Sequence, residues 1–287
     1  MLNILSRELI KRKAKILANF FFDKIMPYKR LRKFSIDRWI YRNESDRYKL
    51  YKSKDHYINI APDNNFYHPK WDCLVPYSDK RHKFLSSYLE YNFSNIQEFP
   101  NTYKLAYSSH FLQLIPHALL ESLLGHIYEA LSSQGIFRVV VPDADLAYEA
   151  YKEKRIDFFE IISPRKYSFE KNEYFFEIMI TSFISGNKPN NLKIDSKTGS
   201  TIRKAYKEMN KERFFDFLID LISSQVKSST SNMNWLNYTK LYDYLSNAGF
   251  STVYKSRFGQ SKSPAMRDIP LFDAKLPCFS LYIEASK

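Results

Sequence analysis

Glycine is scarce in this chain: 6 of 287 residues, and the first of them is Gly125. No glycine-rich phosphate loop can therefore lie in the first 124 positions, where an open α/β sheet would place its first nucleotide-binding turn. Cysteine is scarcer still, with only Cys73 and Cys278. Two thiols so far apart make neither a zinc cluster of ordinary spacing nor a disulfide framework, and they read as buried thiols in a reducing compartment. No apolar run approaches the roughly 20 residues of a membrane span. Gly-x-Ser-x-Gly, the P-loop and Cys-x-x-Cys are all absent, which removes support for hydrolase and kinase readings. The histidines His56, His82, His117 and His126 show no ligand spacing with cysteine or carboxylates, so no metal site is expected.

Basic residues and aromatics are plentiful. Lys and Arg total 44 against 31 acidic residues, a net charge of +13, and aromatics make up 17%. Such a charge invites a nucleic-acid partner. The lysines, however, come with many Asn, Ile, Tyr and Phe, the composition of an AT-rich genome. The basic residues are also spread along the chain apart from a concentration before residue 40. Both points argue against nucleic acid as the partner. At 44% hydrophobic the chain can bury a substantial core.

Residues 2–26 read as an amphipathic helix carrying Leu2, Leu5, Leu9, Ile10, Ile16, Leu17, Phe20 and Phe21, with a basic block between them. Two readings stay open. The helix packs on the domain with its charges solvated, or it rests on an anionic membrane surface helped by Lys29, Arg30, Arg32 and Lys33. Glu8, Lys11, Arg12, Lys13 and Lys15 interrupt its apolar residues, and no small-residue cleavage site follows. That is not a signal peptide pattern, and the expected location is cytoplasmic, with peripheral membrane contact as the second reading.

The spacing then predicts strands at His56–Ile60, Trp71–Val75, Ser87–Phe93 and Lys104–Ser108. A helix follows over His117–Ser132, its stripe formed by Leu120, Leu123, Leu124, Ile127, Tyr128 and Leu131, with Gly135 as the stop. Ile136–Val141 is almost wholly apolar, as a central parallel strand covered on both faces should be. Residues 148–231 change character and predict a helical insertion, with the polar tract 186–200 as a mobile loop. A helix around Leu241, Leu245 and Ala248, stopped at Gly249, precedes two last strands, Ser251–Phe258 and Phe279–Ala285. Strands alternating with helices and ending in a strand pair predict a doubly wound sheet.

Several segments carry a family resemblance. Residues 58–71, INIAPDNNFYHPKW, Ser108-Ser109-His110, Ile136 to Asp143, Asn232–Trp235 with the following helix, and the tail from Gly259 together resemble bacterial class I S-adenosylmethionine-dependent methyltransferases. The resemblance covers roughly residues 56–287 and is weakest in the insertion. It implies a three-layer α/β doubly wound sheet of class I methyltransferase type, here with an N-terminal helical extension over 1–55 and the insertion at about 148–231. It also implies S-adenosylmethionine as cofactor and a small-molecule or glycan-like acceptor. The implied cofactor-facing positions are Ala61, Asp63, Asn64, Asn92, Ser109 and His110.

The chain departs from that pattern. Ala61 and Asp63 stand where the family has glycines, with Pro62 between them and without an N–H. Val75 and Leu74 stand near the position of the acid that holds the ribose. Asn92 stands at the adenine-reading aspartate and keeps hydrogen-bonding capacity. Gln113 and Leu114 replace Glu-His. No residue declares itself as a catalytic base. A non-catalytic relative used for binding or as a scaffold is the competing reading. His110 is expected to hydrogen-bond neighbouring backbone, His68-Pro69 with Trp71 to form a turn against the second strand, and Asp143 with Asp145 to cap the helix near Leu146.

Overall fold

A computed structural model describes residues 55–62, 66, 68, 71–76, 88–91, 99–162, 173–223, 232–269 and 271–287. The expected N-terminal helix and its basic neighbours lie outside the described residues, as do Asp63, Asn64 and Asn92. The chain divides into two compact units, residues 1–92 and 93–287.

The first unit holds β1 (His56–Ile60), β2 (Trp71–Pro76) and β3 (Tyr88–Tyr91), all parallel and in the order β3-β2-β1. Tyr57, Ile58, Asn59 and Ile60 are consecutive and all buried, so β1 is covered on both faces as a parallel strand requires. Trp71 anchors the unit, with Tyr57 at 5.5 Å and Phe66 edge-on at 6.2 Å between ring centroids. The Trp71 N–H donates to His68 O at 3.2 Å, the turn expected there. Burial pushes the Cys73 thiol up to about 12, which makes it inert. Residues 61–70 alone join β1 to β2, whereas a crossover between parallel strands usually takes a dozen or more. The described members of this link, Ala61, Pro62, Phe66 and His68, are not helical.

The second unit holds β4 (Tyr103–Ser109), β5 (Leu131–Pro142), β6 (Thr252–Lys255) and β7 (Ser280–Ser286) in the order β4-β5-β7-β6. β4 and β5 are parallel, and β7 runs antiparallel between β5 and β6. Helix α1 (His117–Ala130) links β4 to β5 and buries Leu120, Leu123, Leu124, Ile127 and Ala130. It ends two residues earlier than its spacing suggests, and Gly135 is not its stop. β5 begins at once with Leu131, and Gly135 lies within the strand. Pairing steps from Tyr103↔Leu131 to Leu105↔Ile136, so β5 bulges against β4. Gln134 takes φ 61° in this bulge. A Cβ on Gly135 would lie 2.7 Å from the Ser132 carbonyl, so the glycine serves the bulge and not the helix.

Among the described residues, five helices follow β5 in succession: α2 (Ala144–Lys152), α3 (Ile156–Ile162), α4 (Phe175–Ser185), α5 (Ser196–Glu208) and α6 (Lys211–Ser223). They share an aromatic core that includes Tyr151, Phe159, Phe175, Phe214 and Phe215. The tract at 186–200 is more ordered than its composition suggests. Gly186 ends α4 at φ 66°. Asp195 then caps α5 by accepting from the Thr198 N–H at 2.8 Å. Buried Glu177 on α4 accepts from the Tyr151 hydroxyl at 2.8 Å and from Arg203 Nε at 3.0 Å. Helix α7 (Tyr238–Asn247), capped by Asn237, packs on α1, with the His117 and Tyr244 rings 5.2 Å apart.

The one charged residue in the almost wholly apolar stretch Ile136–Val141 is turned inward. This residue, Arg138, is fully buried. Its Nε and Nη2 donate to the two Asp273 oxygens at 3.0 and 2.5 Å. Nη1 donates to Glu284 Oε1 at 2.9 Å and Ser256 Oγ at 3.0 Å, and Nη2 also donates to Arg257 O at 2.8 Å. One guanidinium fork thus ties the segment between β6 and β7 to the sheet.

Candidate functional site

In the first unit, Ala61 follows β1 with φ 50°, the left-handed region. A non-glycine residue there carries about 1–2 kcal/mol of strain. Glycine would adopt this turn freely, whereas alanine holds it at a cost. The Ala61 N–H is taken up by Leu74 O at 2.7 Å, and Pro62 has none, so neither position offers a backbone donor to a ligand. Leu74 and Val75, near the expected ribose acid, are buried and apolar. Asn59, which the motif comparison passed over, is buried with its Oδ1 unpartnered among the described residues. Ala61 thus fits the shape of a cofactor turn but not its usual hydrogen bonding.

In the second unit, Ser109 ends β4 and His110 follows it, again in the left-handed region at φ 51°. The His110 N–H donates to Val140 O at 2.7 Å. Its ring reaches across to the segment that opens β7. Nε2 lies 2.9 Å from Ser280 Oγ, whose hydroxyl donates to Leu276 O at 2.8 Å. Ser109 stands two residues from Tyr107, whose phenol burial lifts well above its ordinary range. Tyr107 in turn accepts from the Asp273 N–H at 2.7 Å. Asp143 caps α2 by accepting from the Asp145 N–H at 3.1 Å. Burial raises its carboxyl against the opposing pull of Lys255. Asp145 turns instead to Lys211 Nζ at 2.8 Å and Asn237 Nδ2 at 3.1 Å.

A third cluster, beyond the C-terminal ends of β4 and β5, brings Gln113 and the Asn232–Trp235 motif together with Lys240, which the sequence did not single out. The turn Leu112–Leu114 brings the Gln113 carbonyl to the N–H groups of Met233 and Asn234, at 2.9 and 3.0 Å. Gln113, Pro142, Ala144, Phe183, Ile184, Asn232, Asn234, Trp235 and Leu236 line a small hollow with a cavity volume of about 10 Å³, room for one water. Trp235 Nε1 donates to Asp216 Oδ1 at 2.6 Å. Lys240 Nζ sits 3.9 Å above the Trp235 ring and donates to Asn234 Oδ1 at 2.8 Å. Burial pushes the Lys240 amine down to about 8, opposed by Asp216. Its place in the first turn of α7 works in the same direction, because helix N-termini disfavour cations. That position was the available signal: an Asn N-cap three residues before a lysine, just after Asn-x-Asn-Trp. Among the described residues no group of His, Cys, Asp or Glu is arranged to hold a metal ion.

No protein-family model matches the chain, and neither does any curated protein. Solved structures do match. An S-adenosylmethionine-dependent methyltransferase from Mesorhizobium loti is 13% identical, with 84% of this chain and 95% of that one covered and a TM-score of 0.40. A SAM-dependent methyltransferase from Archaeoglobus fulgidus is 11% identical, with 93% and 98% covered and a TM-score of 0.39. PigF, solved with SAH, is 10% identical at a TM-score of 0.38; 83% of this chain is covered, and it spans 52% of PigF. At these scores the likenesses carry no argument of their own. The strand orders do: 3-2-1 in the first unit, and 4-5-7-6 with a reversed β7 in the second. The chain has a class I methyltransferase fold.

Proposed function

We propose that the chain is an S-adenosylmethionine-dependent methyltransferase acting on a small or glycan-like acceptor. One observation carries this reading. The two described strand-end residues that the resemblance assigns to the cofactor and that carry strain, Ala61 and His110, both hold left-handed backbone without being glycine. Strain of this kind persists where the surrounding structure over-determines it, and it clusters at ligand sites.

When bound, S-adenosylmethionine supplies an electrophilic methyl group on a sulfonium. The Ala61 turn lets the backbone after β1 approach the ligand. His110, fixed to Ser280, holds the chain after β4 in place. The resemblance also assigns Asp63, Asn64 and Asn92 to the cofactor, and these lie outside the described residues. Methyl transfer depends chiefly on alignment of nucleophile and methyl group, so it proceeds without a dedicated base. Incubation of the purified chain with methyl-labelled S-adenosylmethionine and a panel of glycosides tests the reading. Label recovered in an acceptor supports it; label that stays in the cofactor with every acceptor counts against it.

A second reading has its own support: a cofactor-free protein of the same fold that binds a partner. The bonded Ala61 N–H and the missing donor of Pro62 favour it. For the N-terminal segment we propose peripheral contact with an anionic membrane, on the basis of its basic amphipathic pattern. No helix among the described residues is long and apolar enough to cross a membrane. Deleting residues 1–26 should abolish binding to phosphatidylserine vesicles, and unchanged binding would refute this proposal.

A further inference from the structure

We propose that residues 257–269, in the link between β6 and β7, form a docking surface for an anionic lipid bilayer, with Phe258 and Ile269 entering the bilayer and the cations around them meeting its headgroups. The proposal adds a second contact to the membrane reading of residues 1–26, and it does not depend on methyl transfer.

The link is unusual in what it leaves outside. Three of the nine exposed large apolar side chains among the described residues lie on it: Phe258, Ile269 and Leu276, at 40%, 39% and 51% exposure. The fold holds Phe258 outward. The Gln260 N–H donates to Arg257 O at 3.0 Å, which closes a turn with Phe258 and Gly259 at its tip. Gly259 takes φ 64° there, as glycine does without strain. Its N–H donates to Asp273 Oδ2 at 2.9 Å. Arg257 O also accepts from the buried Arg138 at 2.8 Å, and Ser256 Oγ, itself bonded to Arg138, donates to Gln260 O at 2.7 Å. Two buried ionic groups thus fix a turn whose tip is an exposed phenylalanine. Ile269 lies beside it, since a Cβ on Gly259 would come within 3.0 Å of Ile269 Cδ1. An exposed apolar patch rimmed by polar residues marks an interaction site.

The rim is cationic. Arg257, Lys262 and Arg267 are all exposed. No carboxylate among the described residues pairs with them, and Arg267 Nε donates to Ser261 O at 2.7 Å instead. Of the two acids on the link, Asp268 and Asp273, the second is buried against Arg138.

An apolar tip among unpaired cations matches the layering of a membrane interface, acyl chains beneath and anionic headgroups at the level of the cations. The same cations repel a second copy of this chain, whose net charge is +13. Nucleic acid would use the cations but not Ile269, an aliphatic side chain with no face for a base to stack on. A contact this small holds a bilayer weakly and adds to the one at residues 1–26. β5 and β6 both run antiparallel to β7, and Ser280 at the start of β7 pairs with Pro142 at the end of β5. The link therefore stands at the end of the sheet where His110 follows β4, and docking turns that end toward the lipid.

A probe on the link itself separates this contact from the N-terminal one. Cys278 is exposed and Cys73 buried, so a thiol-reactive, environment-sensitive dye goes to Cys278. The labelled full-length chain is sedimented with phosphatidylcholine vesicles, with and without phosphatidylserine. Binding and a blue shift of the dye are expected only with phosphatidylserine. Phe258→Ser combined with Ile269→Ser should weaken binding about tenfold. Arg257→Gln and Lys262→Gln should each weaken it about fivefold. Thermal unfolding checks that each variant folds. Wild type that binds neither vesicle would overturn the surface. So would a bound chain whose dye does not shift, or a Phe258→Ser, Ile269→Ser chain that binds as wild type, and either would leave the contact of residues 1–26 standing. Tighter binding to a DNA duplex than to vesicles, lost with Arg257→Gln but kept in the apolar double variant, would assign the cations to nucleic acid and overturn the proposal too.

Discussion

Replacing Arg138 by methionine should be among the most damaging single substitutions in the second unit. The guanidinium is fully buried, and its partners Asp273 and Glu284 are 1% and 0% exposed. Methionine fills much of the space but leaves two carboxylates in the interior without their cation. Asp273 Oδ2 would keep the Gly259 N–H at 2.9 Å, and Glu284 Oε2 would keep the Lys262 N–H at 2.9 Å and the Tyr254 hydroxyl. Asp273 Oδ1 and Glu284 Oε1 would lose the bonds that Arg138 makes to them. Removing one partner of a buried ion pair costs about 3–5 kcal/mol. For a chain of this size that corresponds to a drop of roughly 10 °C in Tm. The same reasoning requires a rescue. Arg138→Met combined with Asp273→Asn and Glu284→Gln removes the stranded charges and should recover most of the loss. Urea unfolding followed by circular dichroism measures both. A single variant within about 1 kcal/mol of wild type, or a triple variant no better than the single one, would refute the reasoning.

Further outcomes follow from other contacts. Gly199→Ala in α5 would ordinarily gain about 1 kcal/mol of helix propensity. Here the added Cβ would meet the Tyr174 ring at 2.2 Å, so denaturant unfolding should show a loss of about 1–3 kcal/mol. Ala61→Gly should stabilise the chain by up to about 1 kcal/mol, because relief of left-handed strain outweighs the entropy of glycine; a loss would deny that Ala61 is strained. Lys240 should make stability depend on pH in a defined direction. Its pKa is about 8 when folded against 10.5 when unfolded, so between these values the unfolded chain binds more protons and wild-type stability rises with pH relative to Lys240→Met. A flat difference between the two across pH 7–10.5, followed by fluorescence-monitored unfolding, would contradict this.

Much of the architecture could be read from periodicity. β1, the start of α1, the Asp143 cap and the closing strand pair follow from alternation, an apolar stripe and capping chemistry. The departures have local causes. Gly135 reads as a helix end because a bulge and a helix stop both call for glycine, and only strand pairing separates them. Residues 186–200 looked mobile because serine, threonine and glycine also begin helices once an aspartate caps them. Arg138 hid within an apolar strand because its partners lie 135 and 146 residues away in sequence. Ala61 and His110, singled out by the resemblance, each stand directly after a strand in left-handed backbone. Lys240 was not singled out, since its contacts with Trp235 and Asn234 exist only after folding brings them close.

The central claim is that the strained turn at Ala61 is a cofactor turn that survived the loss of its glycine. Calorimetric titration with S-adenosylhomocysteine, on wild type and on Ala61→Gly, tests it most directly. The account expects micromolar binding to wild type and tighter binding to Ala61→Gly, where the Cβ and the strain are both removed. No heat from either protein at millimolar ligand would contradict it and leave the cofactor-free reading standing.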